Sequence, residues 1–151
     1  MRVIAYEVEG WGVGELWLDG KVLVAHELPS ARAVARPRGD APPLRDRIVG
    51  YFRGEPDDFI DVEVDLDGST AFQRAVVAAL RAVPYGDTVT YGELAALAGH
   101  PNAHRAAGTV CACNRFPIVV PCHRVVAAHS LGPYGALGTE YKRRLLALEA
   151  R

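Results

Sequence analysis

Thr90-Tyr91-Gly92-Glu93-Leu94-Ala95-Ala96-Leu97-Ala98-Gly99-His100-Pro101-Asn102-Ala103-His104-Arg105-Ala106-Ala107-Gly108-Thr109-Val110-Cys111-Ala112 is the stretch from which the fold follows. Thr90 with Glu93 three residues on has the form of a capping box, in which each residue's side chain satisfies the other's open backbone donor. Leu94, Ala95, Leu97 and Ala98 continue a short helix, Gly99-His100-Pro101 ends it, and a second helix is expected from about Asn102 to Ala112. This is helix-turn-helix spacing. At about 100° per residue the second helix gathers Ala103, Ala106, Ala107, Val110 and Cys111 on one face and Arg105, Gly108, Thr109 and Ala112 on the other. A helix that reads base edges in a major groove carries several long polar side chains, whereas this outer face offers small residues and one arginine. Such a face suits close backbone approach to a narrow groove, with Arg105 available to enter a space that a base has left.

Downstream lies Asn114-Arg115-Phe116-Pro117-Ile118-Val119-Val120-Pro121-Cys122-His123-Arg124-Val125, an apolar run that delivers a cysteine beside a histidine and an arginine. An apolar surround raises a thiol's pKa, so chemistry at Cys122 needs a base. His123 is the nearest candidate. Successive residues of an extended strand point to opposite faces, so contact between the two requires a turn at Pro121 or a bridging water. A glycine-bearing loop, 131–138, precedes a last helix that Thr139 is expected to cap. In that helix Tyr141, Leu145, Leu146 and Leu148 form an apolar arc that contains Glu149 and is flanked by Lys142 and Arg143. A carboxylate inside an apolar arc needs a partner. His123 supplies one, and Cys122, His123 and Glu149 then have the form of nucleophile, base and orienting acid.

Upstream, Thr70 and Gln73 form another capping box, and Phe72, Val76, Ala79, Leu80 and Val83 make an apolar stripe that Pro84-Tyr85-Gly86 interrupts. Earlier still, residues 3–8, 13–18 and 22–28 read as strands, the last two joined by an Asp19-Gly20 hairpin turn. The prolines and arginines of 29–43 read as a loop. Leu44, Ile48, Tyr51 and Phe52 share one helical face that Gly54 terminates, and residues 61–66 alternate acid and apolar like a half-exposed strand. No catalytic constellation lies in this first part.

The chain has 151 residues, half of them apolar, enough for one compact domain or two small ones. Residues 1–68 hold eight Lys and Arg against fourteen Asp and Glu, a charge of −6; residues 69–151 hold nine against four, +5, which together make the chain's −1. A basic second half beside an acidic first half points to a polyanion met by the second half. The charged start Met1-Arg2-Val3-Ile4-Ala5-Tyr6-Glu7 and the lack of a long apolar run lead us to expect no leader, no membrane and a cytoplasmic setting. Cys111, Cys113 and Cys122 are odd in number and clustered, which argues against a disulfide framework. Cys111 and Cys113 alone fall two ligands short of a zinc site, so no metal is expected.

Pro121-Cys122-His123-Arg124-Val125, with Asn114 eight residues before the cysteine, resembles the active-site signature of the O6-alkylguanine-DNA alkyltransferases. Thr90-Tyr91-Gly92-Glu93-Leu94-Ala95, Arg105-Ala106-Ala107-Gly108 and Lys142-Arg143-Arg144-Leu145-Leu146-Ala147-Leu148-Glu149 are similar to further segments of that family, in its order. The likeness runs from about Phe72 to Glu149. It implies an α+β protein, with a small ribonuclease-H-like α/β scaffold over residues 1–68 and a winged helix-turn-helix domain with the active-site cysteine over residues 69–151. It also implies DNA repair by direct reversal: one irreversible transfer of an alkyl group from O6-alkylguanine, flipped out of duplex DNA, to Cys122, with no cofactor and no obligate protein partner, as a monomer. By the same resemblance Tyr91 displaces a phosphate and donates toward the base, and Arg105 fills the vacancy. Asn114 is a hinge, Val125 offers backbone groups to the base, Tyr134 walls the pocket, and Thr109 and Arg124 join the DNA contacts. The loop departs from the family's usual Gly-Tyr-Gly-Gly-Gly, having Pro133 before Tyr134 and Ala136-Leu137 after Gly135. Two other readings remain on residues alone. A Cys-His-Glu hydrolase would need an oxyanion loop that is not recognisable here, and a non-catalytic alkyltransferase-like lesion sensor would be expected to replace Cys122.

Overall fold

The computed structural model describes residues 1–31 and 42–151; most of the proline-rich loop expected at 29–43 lies outside them. Strands β1 (Arg2–Val8), β2 (Gly12–Asp19) and β3 (Val22–Ser30) form an antiparallel meander in that order. The β2–β3 hairpin pairs Asp19 with Val22 around Gly20-Lys21. Of the expected Asp19-Gly20 pair only Gly20 takes a positive φ, 60°, so the turn has the form with glycine at its first central position. Helix α1 (Pro43–Phe52) buries Leu44, Ile48, Tyr51 and Phe52, the face read from their spacing. The expected strand at 61–66 is reduced to one bridge, Val64 to Leu23, although Val62 and Val64 are buried and Asp61 and Glu63 exposed as the alternation required. The reason lies on the outer edge of β3. Leu23 N and O bond Glu63 O and Asp65 N at 2.8 and 2.9 Å, but three residues on His26 N gives its hydrogen bond to Arg115 O at 2.8 Å. The edge is shared between two segments, which leaves neither length for a ladder and covers an otherwise open strand.

The chain divides into two compact units, Met1–Asp65 with Arg115–Pro117, and Leu66–Asn114 with Ile118–Arg151. In the second unit both capping boxes form. Thr70 Oγ1 accepts from Gln73 N at 3.1 Å, and Thr90 Oγ1 accepts from Glu93 N at 3.1 Å, each reciprocated. They open α2 (Ala71–Arg81) and, after the two-residue strand β4 (Val89–Thr90), α3 (Tyr91–Leu97). Helix α2 buries Val76, Ala79 and Leu80, while Phe72 stays half-buried with its ring edge against His100, 5.1 Å between centroids. Helix α4 (His104–Ala112) starts two residues later than its spacing suggested, because Ala103 N bonds His100 O in a turn first. Strand β5 (Val125–Val126) pairs with β4 in parallel, and α5 (Gly138–Glu149) closes the unit. Thr139 is not its cap; the cap lies two residues earlier, at Leu137, with no side-chain cap bond. The mixture of helices and small sheets is an α+β fold. Among the described residues no helix is long and apolar enough to cross a membrane.

Candidate active site

From Phe116 the segment after α4 enters the core: Phe116, Ile118, Val119 and Val120 are each 4% exposed or less. Ile118 carries φ +75°, a left-handed backbone that a β-branched residue adopts only where its surroundings enforce it. Pro121, at φ −82° and ψ 65°, turns the chain out of the extended run, and Cys122–Arg124 form a single 3-10 turn. The turn anticipated at Pro121 is therefore present, and Cys122 and His123 do not sit on opposite faces of a strand.

Cys122 is buried, and its sulfur accepts a hydrogen bond from Asn114 Nδ2 at 3.1 Å; the same amide donates to Val120 O at 2.8 Å. Asn114 thus does more than link two elements, since it touches the thiol itself. Burial pushes the Cys122 pKa up, opposed by the Asn114 amide, the Lys142 charge and the Tyr134 hydroxyl. The thiol is therefore the resting form at neutral pH. His123 is fully buried, and its Nε2 lies 2.6 Å from Glu149 Oε2. Burial lowers its pKa despite the carboxylate, so the ring is neutral, with Nε2–H donating to Glu149 and Nδ1 the nitrogen that takes up a proton.

Glu149 ends α5 with its side chain inside the unit rather than frayed into solvent. Besides His123 it accepts from Arg124 Nε at 2.8 Å, Arg124 Nη2 at 3.1 Å and Gly86 N at 3.1 Å. Arg124, expected among the DNA contacts, is internal: it is 3% exposed, its third nitrogen donates to Val83 O at 2.8 Å, and it lies over the Tyr85 ring. A guanidinium forked on a buried carboxylate and a carbonyl cannot reach a phosphate. Its work is to hold Glu149 ionised beneath His123.

Lys142, read from sequence as flanking the apolar arc, is buried instead. Its ammonium is 3.4 Å from Pro133 O and 5.9 Å from the centre of the Tyr91 ring. Burial lowers its pKa, while Cys122 and Cys111 hold it up. The available signal was its spacing: Lys142, Leu145 and Glu149 stand at i, i+3 and i+7 on one face of α5. Tyr91, the first residue of α3, packs against Gly108 and Gly132. A Cβ on Gly108 would meet its ring at 3.6 Å, and one on Gly132 would meet its hydroxyl at 3.3 Å. Tyr134 stacks on Tyr141 at 6.2 Å. Val125 is fully buried in the β4–β5 pair, opposite Val89. Arg105 and Thr109 are exposed one turn apart on α4, the threonine hydroxyl donating to Arg105 O at 3.2 Å. That face carries mostly small residues as its spacing required, with Ala107 turned inward, but Ala106 is exposed as well, and so is His104 at the helix start.

A family model for the DNA-binding domain of 6-O-methylguanine DNA methyltransferase matches residues 71–151. The methylated-DNA–protein-cysteine methyltransferase of Mycolicibacterium paratuberculosis is 49% identical over 107 residues, 70% of this chain and 63% of that protein. The protein of that name from Methanopyrus kandleri is 51% identical over 107 residues, 70% of this chain and 78% of the other. The match thus spans a little under two thirds of the first relative's length. Among solved structures, Mycobacterium tuberculosis OGT in complex with DNA superposes with a TM-score of 0.79 at 38% identity, over 98% of this chain and 92% of that one. The O6-methylguanine-DNA methyltransferase of Pyrococcus kodakaraensis gives 0.73 at 28%, over 99% and 98%. With a family model that covers more than half the residues and a relative 51% identical over most of both chains, the chain belongs to the 6-O-methylguanine DNA methyltransferase family.

Proposed function

We propose that the protein repairs O6-alkylguanine in duplex DNA by a single irreversible transfer of the alkyl group to Cys122. The observation that carries this reading is the environment of the thiol: buried, hydrogen-bonded by Asn114 and followed in one turn by a neutral His123 on Glu149. In the reaction the thiol proton passes to His123 Nδ1, directly or through a water, and the imidazolium is stabilised by Glu149. The sulfur attacks the saturated carbon, an S–C bond forms, the C–O6 bond breaks, and the electron pair leaves on guanine, which takes up a proton from a donor such as the Tyr91 hydroxyl. The product is a thioether. Nothing hydrolyses it, so each chain acts once.

Access to O6 requires the nucleotide to rotate out of the stack at a cost of a few kcal/mol. The exposed face of α4, small-sided apart from His104 at its start, Arg105 and Thr109, suits the minor groove, with Arg105 in the vacated space. Tyr134 and its loop wall the pocket, Val125 offers backbone groups to the base, and Arg124 serves by fixing Glu149. Residues 1–68 are read as scaffold and residues 69–151 as the alkyl-accepting domain. Three free thiols suit the reducing cytoplasm. The test is intact mass after incubation with a duplex that contains O6-methylguanine: a gain of about 14 Da, once per chain and mapped to Cys122, is expected. Repeated turnover, or an adduct on Cys111 or Cys113, overturns the reading.

A further inference from the structure

The three residues Arg115–Pro117 belong to the first unit, yet they join Asn114, which bonds the thiol, to Ile118, which opens the run into Cys122. What holds them is chiefly one residue of β3. His26 N donates to Arg115 O at 2.8 Å, and the His26 ring donates from Nδ1 to Pro117 O at 2.7 Å. Arg115 adds a bond from its guanidinium to Asp65 O at 2.8 Å. The far nitrogen of the ring, Nε2, accepts from Tyr6 Oη at 2.5 Å. Tyr6 reaches it by crossing β2 at its register partner Gly14, where a Cβ would stand 2.5 Å from the tyrosine ring and hydroxyl. An imidazole that donates from one nitrogen and accepts at the other must be neutral. Burial keeps it so, with its pKa down to about 4.

A buried histidine, a buried tyrosine and a glycine that makes room for it are therefore spent on two carbonyls of a three-residue strap. Immediately after the strap comes the left-handed Ile118. Backbone in that region relaxes unless both sides are held, and the Pro117 carbonyl is the last held group before it. We infer that His26, braced by Tyr6, is a positioning residue for the Cys122 thiol, acting through the strap on the Asn114 amide. This rests on the proposed reading of Cys122 as the reactive group. The first unit would then contribute to reactivity without touching substrate.

The test is a double-mutant cycle of His26→Phe with Asn114→Ala in the full chain. It is read as the single-turnover rate constant of the folded fraction on O6-methylguanine duplex and, separately, as the second-order rate of Cys122 with iodoacetamide. If the inference is right, each single variant slows both rates by about tenfold, and the double variant is scarcely slower than either, because both act through one contact. DNA affinity stays within about twofold. A histidine that serves only stability lowers the melting temperature while the rate constants of the folded fraction stay at wild type, which overturns the inference; so do effects that multiply. If His26→Phe does not fold, Tyr6→Phe carries the test, with smaller effects of the same sign expected. The iodoacetamide arm separates the two readings. Should the wild type fail to accept an alkyl group from DNA, the function is wrong, and the cycle still reports whether His26 positions the thiol.

Discussion

Burial holds the Cys122 thiol above its ordinary range, and the groups that pull it back are first the Asn114 amide, then the Lys142 ammonium, then the Tyr134 hydroxyl. A thiol raised in this way gains thiolate steadily through the neutral range, so its reaction with iodoacetamide should rise by about tenfold per pH unit, with no plateau near neutrality. Lys142 modifies that profile. Its own pKa is lowered by burial, so on going to high pH its charge disappears earlier than an ordinary lysine's, and the wild-type curve should flatten there. Lys142→Met removes the charge at every pH and keeps an apolar stem of similar length. The variant should react about three- to tenfold more slowly at neutral pH, without the flattening. Asn114, the larger influence, should cost more when replaced by alanine. Lys142→Arg should recover most of the loss. Equal pH profiles for wild type and Lys142→Met would show that the ammonium serves packing alone.

Helix α4 carries a narrower question, because Arg105 is the one long cationic side chain on its exposed face. If Arg105 occupies the gap of an extruded nucleotide, Arg105→Ala should slow transfer from duplex DNA by about one to three powers of ten. Free O6-benzylguanine needs no extrusion, and its rate should hardly change. Equal slowing on both substrates would mean that Arg105 supports the fold or pocket, and no slowing on either would remove the insertion role. That such a helix was legible at all reflects how elements differ in what fixes them. A capping box is decided by two side chains three residues apart, so Thr70 and Thr90 could be read directly. Residues 61–66 had the alternation of a strand and bury the expected side chains, but a ladder also needs a free partner edge, and β3 gives part of its edge to Arg115. Lys142 was misread because lysine is seldom buried; its cost is met by a carbonyl, an aromatic ring and nearby thiols that come from distant parts of the chain. Arg124 was misassigned for a related reason. The family resemblance put it among the DNA contacts, and only the position of Glu149, 25 residues on, turns the arginine inward.

At the scale of the whole molecule, the composition shift near residue 68 lies close to where Asp65 and Leu66 part, but no composition reveals that Pro117 pairs with a histidine 91 residues away. That exchange also tempers the charge argument. Drawn along the two units, nine Lys and Arg face thirteen Asp and Glu in the first, −4, and eight face five in the second, +3, in place of −6 and +5. The sign of the asymmetry survives. Phosphates neutralised by lysine and arginine release counterions, so log affinity for duplex DNA should fall linearly with log salt, by about 0.9 for each contact made. Those contacts are expected to come from the second unit. Glu7 and Glu63 are exposed acids of the first unit that make no part of the site. Glu7→Gln with Glu63→Gln should therefore change the slope by well under one, raising affinity slightly at low salt by relieving general repulsion and converging with wild type as salt screens it. A flat salt dependence would remove DNA as the polyanion, and a slope altered by about one or more in the double variant would place the contact surface on the first unit.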